Sequence, residues 1–287
     1  MKNKNIKLIA IDLDGTTLKH VGEKFSVSPR VRAALDAAKA RGVQVVISTG
    51  RGVFATREFA KLLGVNAPAV CHQGGVIHDF ITETTLFEMT LPISLACELV
   101  ALEVQYPAWH AVMYRGENVY ITRKEHPDHF YDLVANGPIV HADLCAALEG
   151  QAPEKVLFIF PPDKIADGLR VITEVVGDRA MAVQSHPMFV EVNPLGAHKG
   201  AGLAWLARHM GIAQEHIMAI GDQGNDITMI EWAGLGVAMG NGNPLAKQVA
   251  DWIAPTIDED GAAVAIEKFV LNFLDTEEHG FNAKLRA

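Results

Sequence analysis

Cysteine is scarce in this chain: Cys71, Cys97 and Cys145 are the only three among 287 residues. An odd number at wide spacing matches neither a zinc-ligand pattern nor the even framework of a disulfide-stapled secreted fold, and it points to a reducing cytosol. Long apolar runs are also missing, since nothing approaches the roughly 20 residues that a membrane helix needs. The basic N-terminal stretch from Met1 to Lys7 is followed too soon by Asp12 and Asp14 to be an export signal. Positive charge is in deficit as well. With 25 Lys and Arg against 34 Asp and Glu, the net charge is −9, which leaves no basic surface for nucleic acid or anionic lipid. The expectation is a cytoplasmic protein with no nucleic-acid partner and no membrane association, a monomer or small homo-oligomer. Any anionic ligand must be drawn by a local site against the global field.

What is present is ordinary for a globular enzyme: 49% hydrophobic and 21% charged residues, in a length that suits two domains or one core with a large insertion. The first third alternates buried-strand and helix signals. Apolar runs at residues 6–11 and 43–47 read as strands covered on both faces. Ser28 and Pro29 open a helix, as N-cap and first-turn residues, and Gly42 follows its end. A second helix over residues 53–63 and a short strand at 69–71 complete a βαβαβ beginning, which predicts an α/β core with a Rossmann-like, doubly wound parallel sheet.

The pattern changes after Gly74-Gly75. Residues 76–91 and 109–122 read as hairpin material, interleaved with helices at 92–105, 125–135, 143–148 and 163–176 and further strands at 155–160, 179–183 and 188–192. This mixture predicts an inserted α+β domain over residues 82–189. The α/β rhythm returns after Asn193-Pro194, so the core is split into residues 1–81 and 190–287, ending in a polar tail over 275–287.

Open parallel sheets present ligands at the carboxyl ends of their strands. Three strand ends here carry suitable chemistry: Asp12-Leu13-Asp14-Gly15-Thr16, Ser48-Thr49-Gly50-Arg51 and Gly221-Asp222-Gln223-Gly224-Asn225-Asp226. Carboxylates gathered at one sheet edge repel one another, and a hard divalent cation removes that cost. Asp12 and Asp14, two apart on extended backbone, point the same way, so one can act as nucleophile while the other handles protons. Thr49 and the Gly50 amide offer donors to phosphate oxygens, and Lys199 at a helix start offers a point charge. The twelve histidines include His72, His78, His126, His129 and His186, which form no matching metal-ligand set.

Taken together, these motifs resemble the haloacid dehalogenase superfamily of phosphohydrolases, in its Cof-type branch. DxDGT stands at residues 12–16, an apolar strand ending in Ser-Thr-Gly-Arg at 48–51, the third-motif lysine at Lys199, and GDxxND at 221–226. Met239-Gly240-Asn241-Gly242-Asn243 and Asp258-Glu259-Asp260-Gly261 are further branch-like text. The resemblance implies that residues 82–189 form a cap. It also implies that Asp12 is the nucleophile forming an aspartyl-phosphate and Asp14 the general acid/base. Mg2+ would be held by Asp12, the Asp14 backbone carbonyl and Asp222, with Asp226 in support. Leu13 (through its amide), Thr49, Gly50, Lys199 and Asn225 would hold the phosphoryl group. The implied activity is magnesium-dependent hydrolysis of small phosphorylated metabolites, either sugar phosphates or cofactor phosphates such as pyridoxal phosphate or flavin mononucleotide. A phosphomutase with the same nucleophile and a non-catalytic binding member of the fold are the alternatives. One departure is His72-Gln73-Gly74-Gly75, where the branch often has an Asn-Gly-Ala-like stretch.

Overall fold

The strand Leu8–Ile11 is fully buried along its length, and that burial is what makes it the hub of a sheet. Every residue is apolar, so both faces of the strand must be covered and both edges paired. In the computed structural model of the protein, which describes residues 5–21, 24–122, 138–148 and 150–271, it pairs in parallel with Ile217–Gly221 on one side and Gln44–Ile47 on the other. Leu235–Ala238 and Trp252–Ile253 extend the sheet in parallel beyond Ile217–Gly221, giving five strands. The register sets Ile11 beside both Ile220 and Ile47. Three carboxyl ends therefore align, and Asp12, Ser48 and Asp222 leave the sheet at the same edge.

The segment Ala69–Cys71 joins this sheet only through a bridge between Val70 and Ser48. It pairs instead in an antiparallel three-stranded sheet with Val76–Asp79 and Thr84–Glu88. The first helix, Pro29–Ala40, begins as its sequence predicts: the Ser28 hydroxyl accepts from the Arg30 amide, and Pro29 occupies the first turn.

The chain divides into two compact units, one of residues 1–50, 58–84 and 198–287 and the other of residues 51–57 and 85–197. The second unit is built on a six-stranded sheet in the order Ile139–His141, Asn118–Ile121, His110–Arg115, Lys155–Ile159, Phe189–Pro194, Ala180–His186. One face of that sheet packs Met113, Val156, Phe158, Val190 and Val192 against the helices Ile93–Val100 and Ile165–Val176. The alternate residues Val112, Val119, Ile121, Leu157 and Ile159 form a separate apolar cluster, as the two-residue period of a strand requires.

The cysteine expectation is corrected here. Cys97 and Cys145 form a disulfide, with Cα atoms 5.2 Å apart, and Cys71 is buried outside it. The two partners are 48 residues apart and come together because their helices, Ile93–Val100 and Leu144–Ala147, share the same core. The expected helix over 125–135 and the tail 275–287 lie outside the described residues. Among the described residues, no helix is long and apolar enough to cross a membrane.

Gly74 (φ +99°) sits after Ala69–Cys71 with the His198 carbonyl directly over the position a Cβ would take. That contact lets the turn lie against the start of the helix Lys199–His209. Gly74→Ala is expected to lower unfolding stability in urea by more than about 2 kcal/mol, because it combines a left-handed backbone with a clash against a carbonyl that has little room to move.

Candidate active site

At the end of the first strand the chain must reverse within a few residues while leaving two carboxylates at the sheet edge. The turn is tied down locally: the Leu13 carbonyl accepts from the amides of Thr17 (2.9 Å) and Leu18 (2.7 Å), and the Thr17 hydroxyl donates to the Asp12 carbonyl at 2.6 Å. Gly15, at φ +83°, completes the turn against Asp222, whose carboxylate fills the space a side chain would need.

Asp12, Lys199 and Asp226 form the centre of the site. Lys199 is wholly buried, the first residue of its helix, and its Nζ donates to Asp12 Oδ1 and to Asp226 Oδ1, each at 2.6 Å. Burial pushes its pKa down, but the two carboxylates outweigh burial and the ammonium is held above its ordinary value. Asp226 is equally buried, and its other oxygen accepts from the amides of Asp222 and Gln223, both at 2.8 Å. Asp226 thus joins the lysine to the loop that follows Ile217–Gly221.

Asp222, 2% exposed, accepts from the Thr16 hydroxyl at 2.8 Å and from the Gln223 side-chain amide at 2.9 Å. One carboxylate oxygen from each of Asp12, Asp222 and Asp226 lies within 4.8 Å of the others. Burial raises the pKa of Asp12 well above the usual carboxylate range, with Lys199 opposing and Asp226 and Asp222 adding to the rise. Asp222 is raised by burial and by Asp226. Three carboxylates against one ammonium leave a formal surplus of two negative charges in a buried space. With separations of at most 4.8 Å, the three oxygens are close enough to gather around one small divalent cation. The donor set therefore fits a hard metal ion by charge, by ligand type and by separation.

Asp14 is half-buried beside this group, and its carboxylate is not one of the three gathered oxygens. Thr49, 1% exposed, donates its amide to the Val70 carbonyl at 2.8 Å and lies at the end of Gln44–Ile47 with Gly50. Asn225 is exposed, with its Nδ2 3.1 Å from Gln73 Oε1. Leu13 is buried in the turn itself. Asp12, Asp222, Asp226 and Lys199 are thus brought into one cluster, with Leu13 and Asp14 on the turn that begins at Asp12. Arg51 groups with residues 51–57 in the other unit.

Sequence reasoning assigned no role to three residues that touch this constellation. Thr16 braces Asp222, Gln73 holds Asn225, and Asn241 spans two loops, donating to the Gly15 carbonyl at 2.9 Å and accepting from the Ile257 amide at 2.8 Å. Thr16 lies in the DxDGT stretch, Gln73 in residues 72–75 and Asn241 in residues 239–243. No local signal marks their partners, each of which is 16 to 226 residues away.

The chain matches the family model of haloacid dehalogenase-like hydrolases over residues 9–266. It is 34% identical over 274 residues to the 5-amino-6-(5-phospho-D-ribitylamino)uracil phosphatase YcsE of Bacillus subtilis, covering 93% of this chain and 97% of that one. A second B. subtilis phosphatase of the same description, YitU, is 29% identical over 270 residues, covering 91% and 97%. Among solved structures, a haloacid dehalogenase-like hydrolase from Bacteroides thetaiotaomicron superposes with a TM-score of 0.83 at 27% identity, covering 92% of this chain and 99% of that one.

Replacing Lys199 by Met would leave the carboxylates buried without their counter-ion. Lys199→Met is expected to cost about 3–5 kcal/mol at pH 7.5. The Asp12 and Asp222 pKa values are already raised in the folded state, so the folded protein binds protons more readily than the unfolded chain. The deficit should therefore shrink as pH falls toward 5 and the carboxyl groups protonate. Urea unfolding at the two pH values checks this, and an equal deficit at both would contradict the charge assignment.

Proposed function

This chain belongs to the haloacid dehalogenase-like hydrolases and is a phosphatase of their Cof-type branch, and we propose that it is a magnesium-dependent hydrolase of small phosphorylated metabolites working through an aspartyl-phosphate on Asp12. The observation that carries this reading is the buried cluster of Asp12, Asp222 and Asp226 around Lys199, with its surplus of two negative charges. A hard cation would relieve the repulsion in such a cluster, and a cation beside a nucleophilic carboxylate is what phosphoryl transfer requires.

In this proposal the Asp12 carboxylate attacks phosphorus in line with the ester oxygen that leaves. Asp14 donates a proton to that oxygen, then takes one from the water that hydrolyses the acyl-phosphate. Lys199 holds Asp12 oriented and stabilises charge on the transferring group, with Thr49, Gly50, the Leu13 amide and Asn225 as further phosphoryl contacts. Magnesium, bound by Asp12, the Asp14 carbonyl and Asp222 with Asp226 in support, would neutralise charge that develops on the phosphoryl oxygens. Asp226 carries bonds from Lys199 and from two loop amides, which suits a supporting role.

The inserted residues 82–189 would act as a cap that selects the leaving group. Sugar phosphates and cofactor phosphates such as pyridoxal phosphate and flavin mononucleotide are the substrate classes proposed, and the ribitylaminouracil phosphate in the names of YcsE and YitU adds a polyol phosphate to that range.

The test is release of inorganic phosphate from a panel of such esters, with magnesium and with chelator. Release should require magnesium and should fall by about a thousandfold or more in Asp12→Asn, with an unchanged circular-dichroism spectrum expected because Asn is isosteric and Lys199 keeps Asp226. Turnover that survives in Asp12→Asn would remove Asp12 as nucleophile. Isomerisation of a substrate with its phosphate retained would turn the assignment to a phosphomutase.

A further inference from the structure

The departure at His72-Gln73-Gly74-Gly75 has no part in the chemistry proposed above, yet its backbone is tightly constrained at the sheet edge. His72 (φ +47°) and Gln73 (φ +57°) are consecutive non-glycine residues in the left-handed region. L side chains rarely adopt this conformation, and two in succession persist only where the surroundings over-determine them. The surroundings here do so. The Gln73 amide donates to the Thr49 carbonyl at 3.1 Å, the Gly75 amide donates to the His72 carbonyl at 3.0 Å, and Gly74 lies against the His198 carbonyl. The turn is thereby fastened both to the end of the second-motif strand and to the helix that begins with Lys199.

The strained turn delivers the Gln73 side chain into a specific place. A Cβ built on Gly50 would meet the Gln73 side-chain amide, with its Nε2 the nearest atom at 2.5 Å, so the amide occupies the space over Gly50. The other end of the same amide, Oε1, accepts from Asn225 Nδ2 at 3.1 Å. Gln73 thus stands between the second and fourth motifs and touches both.

We propose that Gln73 is a positioning residue for phosphate capture, acting by holding the side-chain amide of Asn225. The inference rests on the reading that Asn225 contacts the phosphoryl group. An Asn amide nitrogen carries two protons in one plane. The bond to Gln73 engages one of them and fixes the direction of the other, which is left to donate to a phosphoryl oxygen. Asn225 is exposed, and an exposed Asn without that tether would have to be ordered by each incoming phosphate. Gln73 supplies the order in advance, at the cost of a left-handed backbone.

The experiment is a double-mutant cycle read by calorimetric binding of inorganic phosphate in the presence of magnesium, using wild type, Gln73→Met, Asn225→Ala and the double variant. Met keeps the length of the side chain and removes the acceptor. Gln73→Met should weaken phosphate binding about fivefold, and the effect should vanish in the Asn225→Ala background. Gln73→Gly supplies a second readout. It relieves the left-handed strain while removing the tether, so Tm should rise by about 2 °C as phosphate binding falls.

Wild-type affinity in Gln73→Met would overturn the inference. So would an equal loss in both backgrounds, which would mean that Gln73 acts without Asn225. A fall of Tm and affinity together in Gln73→Gly would make the residue merely structural, and an absence of phosphate binding by the wild type would also overturn the proposal. If the wild type binds phosphate but hydrolyses no ester, the phosphatase reading fails while the cycle still decides the role of Gln73.

Discussion

One ammonium holds the site together. Lys199, with no exposure to solvent, sits between Asp12 and Asp226 at 2.6 Å from each. The three residues come from the end of the first strand, the start of a helix and the loop after the Ile217–Gly221 strand. None of them could be buried alone, since an isolated charge in a protein interior is costly and removal of one partner leaves the others uncompensated. The order then spreads outward by hydrogen bonds. Asp226 gathers the amides of Asp222 and Gln223, Thr16 braces Asp222, and the Thr17 hydroxyl closes on the Asp12 carbonyl. Each link is ordinary, and together they fix carboxylates that would otherwise repel one another.

The electrostatic balance of this network is deliberately incomplete. Lys199 neutralises one of three gathered carboxylates, and burial raises the pKa of Asp12 and Asp222. The residues alone leave a negative pocket, in a chain whose net charge is already −9. A phosphate ester would be repelled by such a field without a counter-charge at the site. The polypeptide supplies the position of the carboxylates and one ammonium, and a hard cation bound there would supply the compensating charge.

Backbone conformation supplies the other constraint. Gly15 and Gly74 allow close approach where a side chain would strike Asp222 or the His198 carbonyl, while His72 and Gln73 accept left-handed conformations without being glycine. Glycine at those two positions would be the easier choice. Retaining a side chain at Gln73 places an amide between Gly50 and Asn225. Local strain and functional placement meet in the same turn.

Much of this was legible in the residues. The apolar runs that become Leu8–Ile11, Gln44–Ile47 and Ile217–Gly221 announce buried parallel strands, because a segment with no polar face must be covered on both sides. The acidic and hydroxyl residues at their ends mark one chemical edge, and the motifs around Asp12, Thr49, Lys199 and Asp222 point to the haloacid dehalogenase-like hydrolases. Other features depended on neighbours that sequence spacing does not reveal. Cys97 and Cys145 look unrelated until their helices share a core, and Ala69–Cys71 reads as a further strand of the main sheet until it turns into its own hairpin sheet. The contacts of Thr16, Gln73 and Asn241 arise the same way, from partners remote in the chain. Hydrophobic pattern and local chemistry thus determined which strands form and which residues stand at their ends. Strand order and register decided which of those ends meet, because a pairing between distant segments is set by the packing of the whole unit and carries no local mark.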